Sequence, residues 1–221
     1  MKLLFSALVK FLFGLLLVGA LLFIPAWSFE YINAWLFIAL LFIPMFILGV
    51  VLFLKAPDLL KKRLDTKEKE KTQRGVVAIS GLLFIGGFVV AGLDYRFGWS
   101  YVPVWAVIIA SLILLLSYAL YAEVMRENAY LSRTIEVQED QSVVDTGLYG
   151  IVRHPMYAVT LWLFLSIPVV LGSWWSLLCF LPYLPLFIVR ILNEEKVLEA
   201  GLDGYKEYKK RVRYRLIPFI W

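Results

Sequence analysis

Long runs of apolar residues dominate the pattern of hydrophobic and polar positions along this chain. Four runs are each as long as the roughly 20 residues with which a helix crosses the hydrocarbon core of a bilayer. They cover residues 3–24, 34–54, 75–93 and 102–122. A further apolar stretch over 157–192 is interrupted only by Gly172 and Ser173, which predicts two more crossings joined by a tight turn. The pattern therefore predicts an all-α polytopic membrane protein with about six transmembrane helices.

The composition strengthens this prediction. Hydrophobic residues make up 62% of the chain, against roughly 45–50% in soluble domains, and charged residues make up 18%, against about 25%. These values exclude a soluble cytosolic enzyme, a disordered chain and a disulfide scaffold. The first apolar run also exceeds the roughly 7–15 residues of the hydrophobic region in a signal peptide, so we interpret it as a membrane span.

The basic residues fall almost entirely on one side of the predicted membrane. With six spans both termini share a side, and that side holds all of the 22 Lys and Arg residues except Arg96. Because basic loops stay in the cytoplasm, we expect both termini and the long loops to be cytoplasmic. The connections on the other side are too short for a catalytic constellation, so function is expected at the cytoplasmic face. The compact chain favours a prokaryotic plasma membrane.

Three polar segments lie on this side. Residues 55–74 are charged in both signs, and we interpret them as a solvated connector at the membrane surface. Residues 123–157 are too long for an ordinary connection and contain His154, the single histidine of the chain. Their sequence alternates like a strand over 133–138, and Pro155 suits the first turn of the helix that follows. The alternative is that the charged and aromatic residues here merely anchor that helix at the interface.

The third polar segment begins within the last predicted span. Arg190 and Glu194 are four residues apart, so they project from the same face of a helix. Ionisable groups in a membrane helix usually face a cavity or a partner, although these side chains also fit a helix that is simply leaving the membrane. The tail over 205–221 mixes charged and aromatic residues in a way that is typical of an amphipathic surface helix.

Several common kinds of site are not indicated. The glycine-dense stretch over 81–87 lies inside a predicted span, and the spacing of Gly87 and Ala91 favours close helix packing over a nucleotide-binding loop. With one cysteine and one histidine far apart in the sequence, no metal site is predicted. The first four spans carry almost no charge, which disfavours a transporter with an ionic pathway.

The motifs of the C-terminal half are specific in their order, although each is short. They are Gly147-Leu148-Tyr149, an Arg-His-Pro-Met-Tyr run at 153–157, an apolar hairpin, Glu194-Glu195, and a tail with Tyr205, Tyr208, Arg211-Val212 and Pro218. In this order the sequence resembles the isoprenylcysteine carboxyl methyltransferase family, which is related to the membrane phospholipid methyltransferases. The resemblance divides the chain into four N-terminal spans over 1–122 and a methyltransferase-like region over 123–221, which comprises a loop, a two-span hairpin and a C-terminal amphipathic helix.

The resemblance implies a methyltransferase that uses S-adenosylmethionine and acts on a lipidic or isoprenylated acceptor in the bilayer, with no nucleic acid as partner. It implies catalytic roles for Arg190 and Glu194 and acceptor binding by Arg190 and Glu195. The guanidinium of Arg190 would hold a carboxylate in its two-pronged geometry. The implied cofactor-binding residues are Gln138, Gln141, Ser142, Val143, Val144, Tyr149, His154, Pro155, Met156, Tyr157 and Glu194.

Three alternatives stay open at this point. The acceptor is a carboxylate or an amine, and an amine requires a proton acceptor, for which Glu195 is the spare candidate. A sterol-type membrane reductase has a similar C-terminal half, but it requires NADPH and more cations for the 2′-phosphate than the sequence offers. A non-catalytic membrane scaffold is the third alternative. The first 120 or so residues do not discriminate among them, because their spans are generic apolar helices.

Overall fold

The computed structural model describes residues 2–64, 71–132, 135 and 137–221. Within these ranges the regular elements are helices, which confirms the predicted all-α class. They are α1 (Lys2–Ala26), α2 (Ile32–Lys55), α3 (Pro57–Leu64), α4 (Lys71–Phe97), α5 (Val104–Glu127), a 3₁₀ turn (Gly147–Gly150), α6 (Pro155–Val170), α7 (Trp174–Phe180), α8 (Tyr183–Gly201) and α9 (Tyr205–Arg211). The strand-like alternation over 133–138 lies partly outside the described residues, and its described positions are not in a strand.

The described part of the chain has five segments long and apolar enough to cross a membrane. They are Leu3–Ala26, Ile32–Lys55, Gly75–Phe97, Val104–Glu127 and Trp174–Gly201, the last combining α7 and α8. The sixth apolar helix, α6, has 16 residues, so it is about 24 Å long at 1.5 Å per residue and shorter than a hydrocarbon core of about 30 Å. The protein is therefore a multi-pass membrane protein with five segments of spanning length among the described residues, against about six predicted, and α6 is the shorter arm of the apolar hairpin with α7–α8.

The turn of this hairpin is fastened to the neighbouring helices by hydrogen bonds. Gly172 has a φ of 78°, a left-handed conformation that glycine adopts without steric cost. The Tyr31 hydroxyl donates to the carbonyl of Leu171 at 2.6 Å, and the hydroxyl of Ser173 donates to the carboxylate of Asp94. Because this end of α6 is fixed, the start of α6 at Pro155 is directed to the other end of the bundle.

The hydrophobic core contains residues of α1, α2 and α4 to α8, and within it α4 packs against α1 and α7. Phe88 of α4 and Phe180 of α7 are fully buried, as is Ala91. A Cβ on Gly87 would lie 2.4 Å from the ring of Phe180, so only glycine permits this approach of the two helices. The predicted close helix packing is therefore confirmed at Gly87, whereas Gly81 and Gly86 have no neighbouring atom within 4 Å of such a Cβ.

The C-terminal tail folds inward instead of continuing as a surface helix. Helix α9 ends at Arg211, and the backbone then returns to the start of α6. The amide of Arg153 donates to the carbonyl of Tyr214 at 2.7 Å, and the amide of His154 donates to the carbonyl of Arg215 at 2.9 Å. The predicted amphipathic helix over 205–221 is therefore confined to its first 7 residues, and the rest of the tail covers the Arg-His-Pro motif.

Candidate active site

A buried carboxylate, that of Glu195 on α8, lies at the centre of the polar end of the bundle. Its side chain is 3% exposed. Arg153 donates to its Oε1 through Nε at 2.7 Å, and Arg215 donates to its Oε2 through Nε at 3.0 Å. The ring Nε2 of His154 lies 3.4 Å from Oε1. One carboxylate thus joins the motif before α6, helix α8 and the tail.

The remaining donors of Arg153 are also satisfied. Its Nη1 donates to the carbonyls of Val212 and Arg213 at 3.0 and 3.2 Å, and its side chain is as buried as that of His154, at 5% exposure each. A guanidinium can be buried only when its charge and its N–H groups are paired. The first residue of the Arg-His-Pro-Met-Tyr motif is therefore a structural anchor for the tail.

A cavity opens beside this anchor. Four parts of the chain form it: the loop between α5 and α6, the first turn of α6, α8 from Arg190 onward, and α9. The lining residues are Asn128, Tyr130, Leu131, Ser132, Ile135, Gln141, Ser142, Val143, Val144, Tyr149, Arg153, His154, Met156, Tyr157, Arg190, Glu194, Leu198, Leu202, Tyr205 and Tyr208. The wall mixes apolar side chains with a few charged ones, the guanidinium groups of Arg153 and Arg190 and the carboxylate of Glu194. Small-molecule sites commonly have such a lining.

Tyr157 connects the two ionisable residues of α8 that face the cavity. Its hydroxyl accepts a hydrogen bond from Nε of Arg190 at 2.9 Å and donates one to Oε2 of Glu194 at 2.6 Å. The i, i+4 spacing predicted that Arg190 and Glu194 share a helical face, and both line the cavity. The spacing alone did not predict that a tyrosine from α6 would link them.

The loop side of the cavity is held at the end of α5. Gly147 has a φ of 52°, and a Cβ there would lie 1.5 Å from a carboxylate oxygen of Glu127. That carboxylate accepts from the amide of Leu148 at 3.0 Å and so caps the 3₁₀ turn. The turn positions Tyr149, whose carbonyl accepts from the hydroxyl of Tyr208 at 2.8 Å. Burial raises the pKa of Tyr149, so its phenol stays neutral.

Helix α3, from the segment interpreted as a solvated connector, also reaches the cavity wall. Nη1 of Arg63 donates to the carbonyl of Ser132 at 3.3 Å and approaches the sulfur of Met156 at 3.6 Å. Nζ of Lys62 donates to Oε1 of Gln138 at 2.5 Å. The described part of this connector is therefore packed against the loop that lines the cavity.

The structure brings most of the predicted site residues to one cavity. Gln141, Ser142, Val143, Val144, Tyr149, His154, Met156, Tyr157, Arg190 and Glu194 line it. Gln138, Pro155 and Glu195 do not appear in its lining. Pro155 begins α6 as predicted, Gln138 is bound to α3 and to the carbonyl of Tyr130, and Glu195 is bound to cations on its inner side.

Sequence reasoning did not select several lining residues. Asn128, Tyr130, Leu131 and Ser132 precede the motifs, and Leu198, Leu202, Tyr205 and Tyr208 follow the Glu194-Glu195 pair. The two tyrosines belonged to the tail motif, so the motif offered a signal for them. The apolar residues gave none, because a leucine near a membrane helix end has the same pattern whether it lines a cavity or faces lipid.

The fold and the cavity define a multi-pass membrane protein with a polar site at one end of its helices. Residues 104–203 match the model of the phospholipid methyltransferase family, from the start of α5 to just after α8. This match confirms the resemblance found in the sequence and supports a membrane methyltransferase as the class of protein. Comparison with curated proteins gives no match.

Replacing Glu195 with glutamine tests the anchor. The variant keeps the size of the side chain but leaves the buried guanidinium of Arg153 without its counter-charge, and breaking a buried pair in this way costs about 3–5 kcal/mol. We expect a large fall in the thermal unfolding temperature of the purified protein in detergent.

The matched control for this change is Glu207→Gln, at an exposed position on α9. It should leave the unfolding temperature unchanged, since exposed charges contribute little to stability. Equal unfolding temperatures for Glu195→Gln and the wild type would show that Glu195 does not anchor the tail.

Replacing Arg63 with alanine tests the contact between α3 and the cavity wall. Because a hydrogen bond from a charged donor contributes about 1.5–3 kcal/mol, amide hydrogen exchange of the segment around Ser132 should be about tenfold faster or more. Lys61→Ala, at an exposed position on the same helix, is the control and should leave exchange unchanged. Exchange at the wild-type rate in Arg63→Ala would mean that α3 does not order this loop.

Proposed function

We propose that this protein is an S-adenosylmethionine-dependent methyltransferase that modifies a lipidic acceptor at the cytoplasmic face of the membrane. The observation that carries the proposal is the cavity in which the Arg-His-Pro-Met-Tyr motif, Arg190 and Glu194 meet. It lies largely within the region that matches a methyltransferase family and at the polar end of apolar helices. The cytoplasmic assignment rests on the distribution of Lys and Arg along the sequence.

The lining of the cavity fits the chemical groups of S-adenosylmethionine. Its amino-acid part carries an ammonium and a carboxylate, and the cavity offers the carboxylate of Glu194 and the guanidinium of Arg190. Its adenosine part carries a planar purine with apolar faces and polar edges, and the cavity wall also offers Val143, Leu198 and the amide of Gln141. We infer that Tyr149, His154 and the first turn of α6 form the wall beside the bound cofactor.

S-adenosylmethionine supplies an electrophilic methyl group on a positively charged sulfur. The work left to the protein is to orient the acceptor and to exclude water. The buried ring of His154 and the side chains of Met156 and Tyr157 close the inner wall of the cavity. Tyr157 holds Glu194 and Arg190 in a fixed relation through its two hydrogen bonds, so the charged groups are in place before a ligand enters.

We further propose that the acceptor is a carboxylate. A carboxylate needs no general base, only a cation to orient it. Arg190 lines the cavity, and the planar fork of a guanidinium matches the two oxygens of a carboxylate. The amine alternative needs a proton acceptor. Glu195, the spare candidate, is bound by Arg153 and Arg215, so we assign it to positioning rather than to acceptor binding.

An amine of a phospholipid headgroup is the second candidate, and the description of the matched family favours it. In that case Glu194 is the carboxylate in the cavity lining that is placed to receive a proton. A reductase is less well supported, because among the described lining residues the cations are Arg153, which is committed to Glu195, and Arg190.

The proposal is tested by calorimetric binding of S-adenosylmethionine and of NADPH to the full chain in detergent. We expect binding of S-adenosylmethionine, weakened in Glu194→Gln because the carboxylate no longer carries the charge that attracts an ammonium. Glu207→Gln is the control with the same chemical change outside the cavity. Binding of NADPH instead would replace the methyltransferase by a reductase.

Arg190→Lys tests the acceptor assignment with S-adenosylmethionine present. Lysine keeps the charge but loses the planar fork, so methylation of an S-prenylated cysteine with a free carboxylate should fall about tenfold or more through its KM or kcat. The Kd for S-adenosylmethionine should change little. Methylation of phosphatidylethanolamine by the wild type, with none of the prenylated acid, would overturn the carboxylate assignment and leave the methyltransferase proposal standing.

A further inference from the structure

Tyr205, the first residue of α9, has a buried hydroxyl with no hydrogen-bond partner among the described residues. Its side chain is 4% exposed and lines the cavity. A buried hydroxyl without a partner costs free energy, and such groups are few in native structures. This hydroxyl therefore calls for an explanation that the described residues do not provide.

The neighbouring buried tyrosines do have partners within the protein. The hydroxyl of Tyr208 donates to the carbonyl of Tyr149 at 2.8 Å, and that of Tyr149 accepts from Nδ2 of Asn128 at 3.0 Å. Tyr157 both accepts and donates, as described above. Among the described tyrosines of this wall, Tyr205 is thus the one whose hydroxyl has no hydrogen-bond partner in the described residues.

The backbone conformation directs Tyr205 to this position. Gly204 has a φ of 80°, a left-handed conformation that turns the chain between α8 and α9. As a result, Tyr205 packs with Leu202, Tyr208 and Val143 in one apolar cluster. Val143, Leu202 and Tyr208 also line the cavity, so Tyr205 belongs to an apolar part of its wall.

The phenol of Tyr205 is in the state required of a donor. Burial raises its pKa, and the nearby carboxylates of Glu195 and Glu194 raise it further. The group therefore keeps its proton at neutral pH and offers an O–H inside an apolar wall.

We propose that Tyr205 is a ligand-binding residue whose hydroxyl donates a hydrogen bond to the adenosine part of S-adenosylmethionine. The inference rests on the proposed function. The apolar neighbours of Tyr205 suit a purine, whose ring nitrogens are hydrogen-bond acceptors, whereas Arg190 and Glu194 suit the carboxylate and the ammonium of the amino-acid part. Tyr205 lies two positions beyond the region that matches the family, 104–203, so the match assigns it no role.

The test compares Tyr205→Phe with Tyr208→Phe in the full chain, each of which removes a single hydroxyl. In the protein without ligand, Tyr205→Phe should leave the unfolding temperature unchanged or raise it, because an unpaired polar group is removed. Tyr208→Phe should lower that temperature, because it removes a partner of the Tyr149 carbonyl.

Binding is then measured by calorimetry with S-adenosylmethionine and with adenosine. For Tyr205→Phe we expect the Kd of both ligands to rise about three- to tenfold, as for one neutral hydrogen bond. A rise for S-adenosylmethionine alone would place the contact on the amino-acid part and overturn the adenosine assignment. An unchanged Kd for both would overturn the role of Tyr205 in binding.

Two further outcomes separate this inference from the proposal on which it rests. A fall in the unfolding temperature of Tyr205→Phe as large as that of Tyr208→Phe would show that the hydroxyl has a partner inside the protein, and would overturn the inference while leaving the methyltransferase proposal intact. Failure of the wild-type protein to bind S-adenosylmethionine would overturn the proposed function, and the assignment of Tyr205 with it.

Discussion

The burial of one carboxylate, that of Glu195, is the constraint on which the polar end of this protein depends. Removing two charges from water costs several kcal/mol per ion, so a buried pair persists only where geometry and further hydrogen bonds compensate. Here Arg153 and Arg215 provide that compensation, and they come from segments far apart in sequence. The start of α6, helix α8 and the tail are consequently fixed relative to one another, and the cavity lies between them.

The adjacent acids of α8 divide their roles because consecutive helical positions point about 100° apart. Glu195 faces inward to the two arginines, while Glu194 faces the cavity and accepts from Tyr157. A similar division of roles occurs at the start of α6, where Arg153, just before the helix, serves the anchor and Tyr157, within the first turn, lines the cavity. A short motif of charged and aromatic residues thus contains both the support of the site and its lining.

The sequence was sufficient to predict the features that local patterns encode. Apolar runs predicted the helices, and the order of motifs predicted that Arg190, Glu194 and the Arg-His-Pro motif meet. The contacts of α3 and the inward path of the tail were not predictable, since a charged connector and an amphipathic tail look the same whether they meet lipid or protein. The deciding contacts, such as Arg63 with Ser132, join residues far apart in sequence and exist only after folding.

These distant contacts bear on where the functional unit ends. The matched region, 104–203, contains the charged residues of the cavity, but α3 lies before it and Tyr205 and Arg215 lie after it. Without the tail, Arg153 loses the carbonyls that accept from its Nη1, and Glu195 loses its second arginine. Because an incompletely paired buried charge is strongly destabilising, the region that matches the family depends on chain segments outside it to hold the cavity in shape.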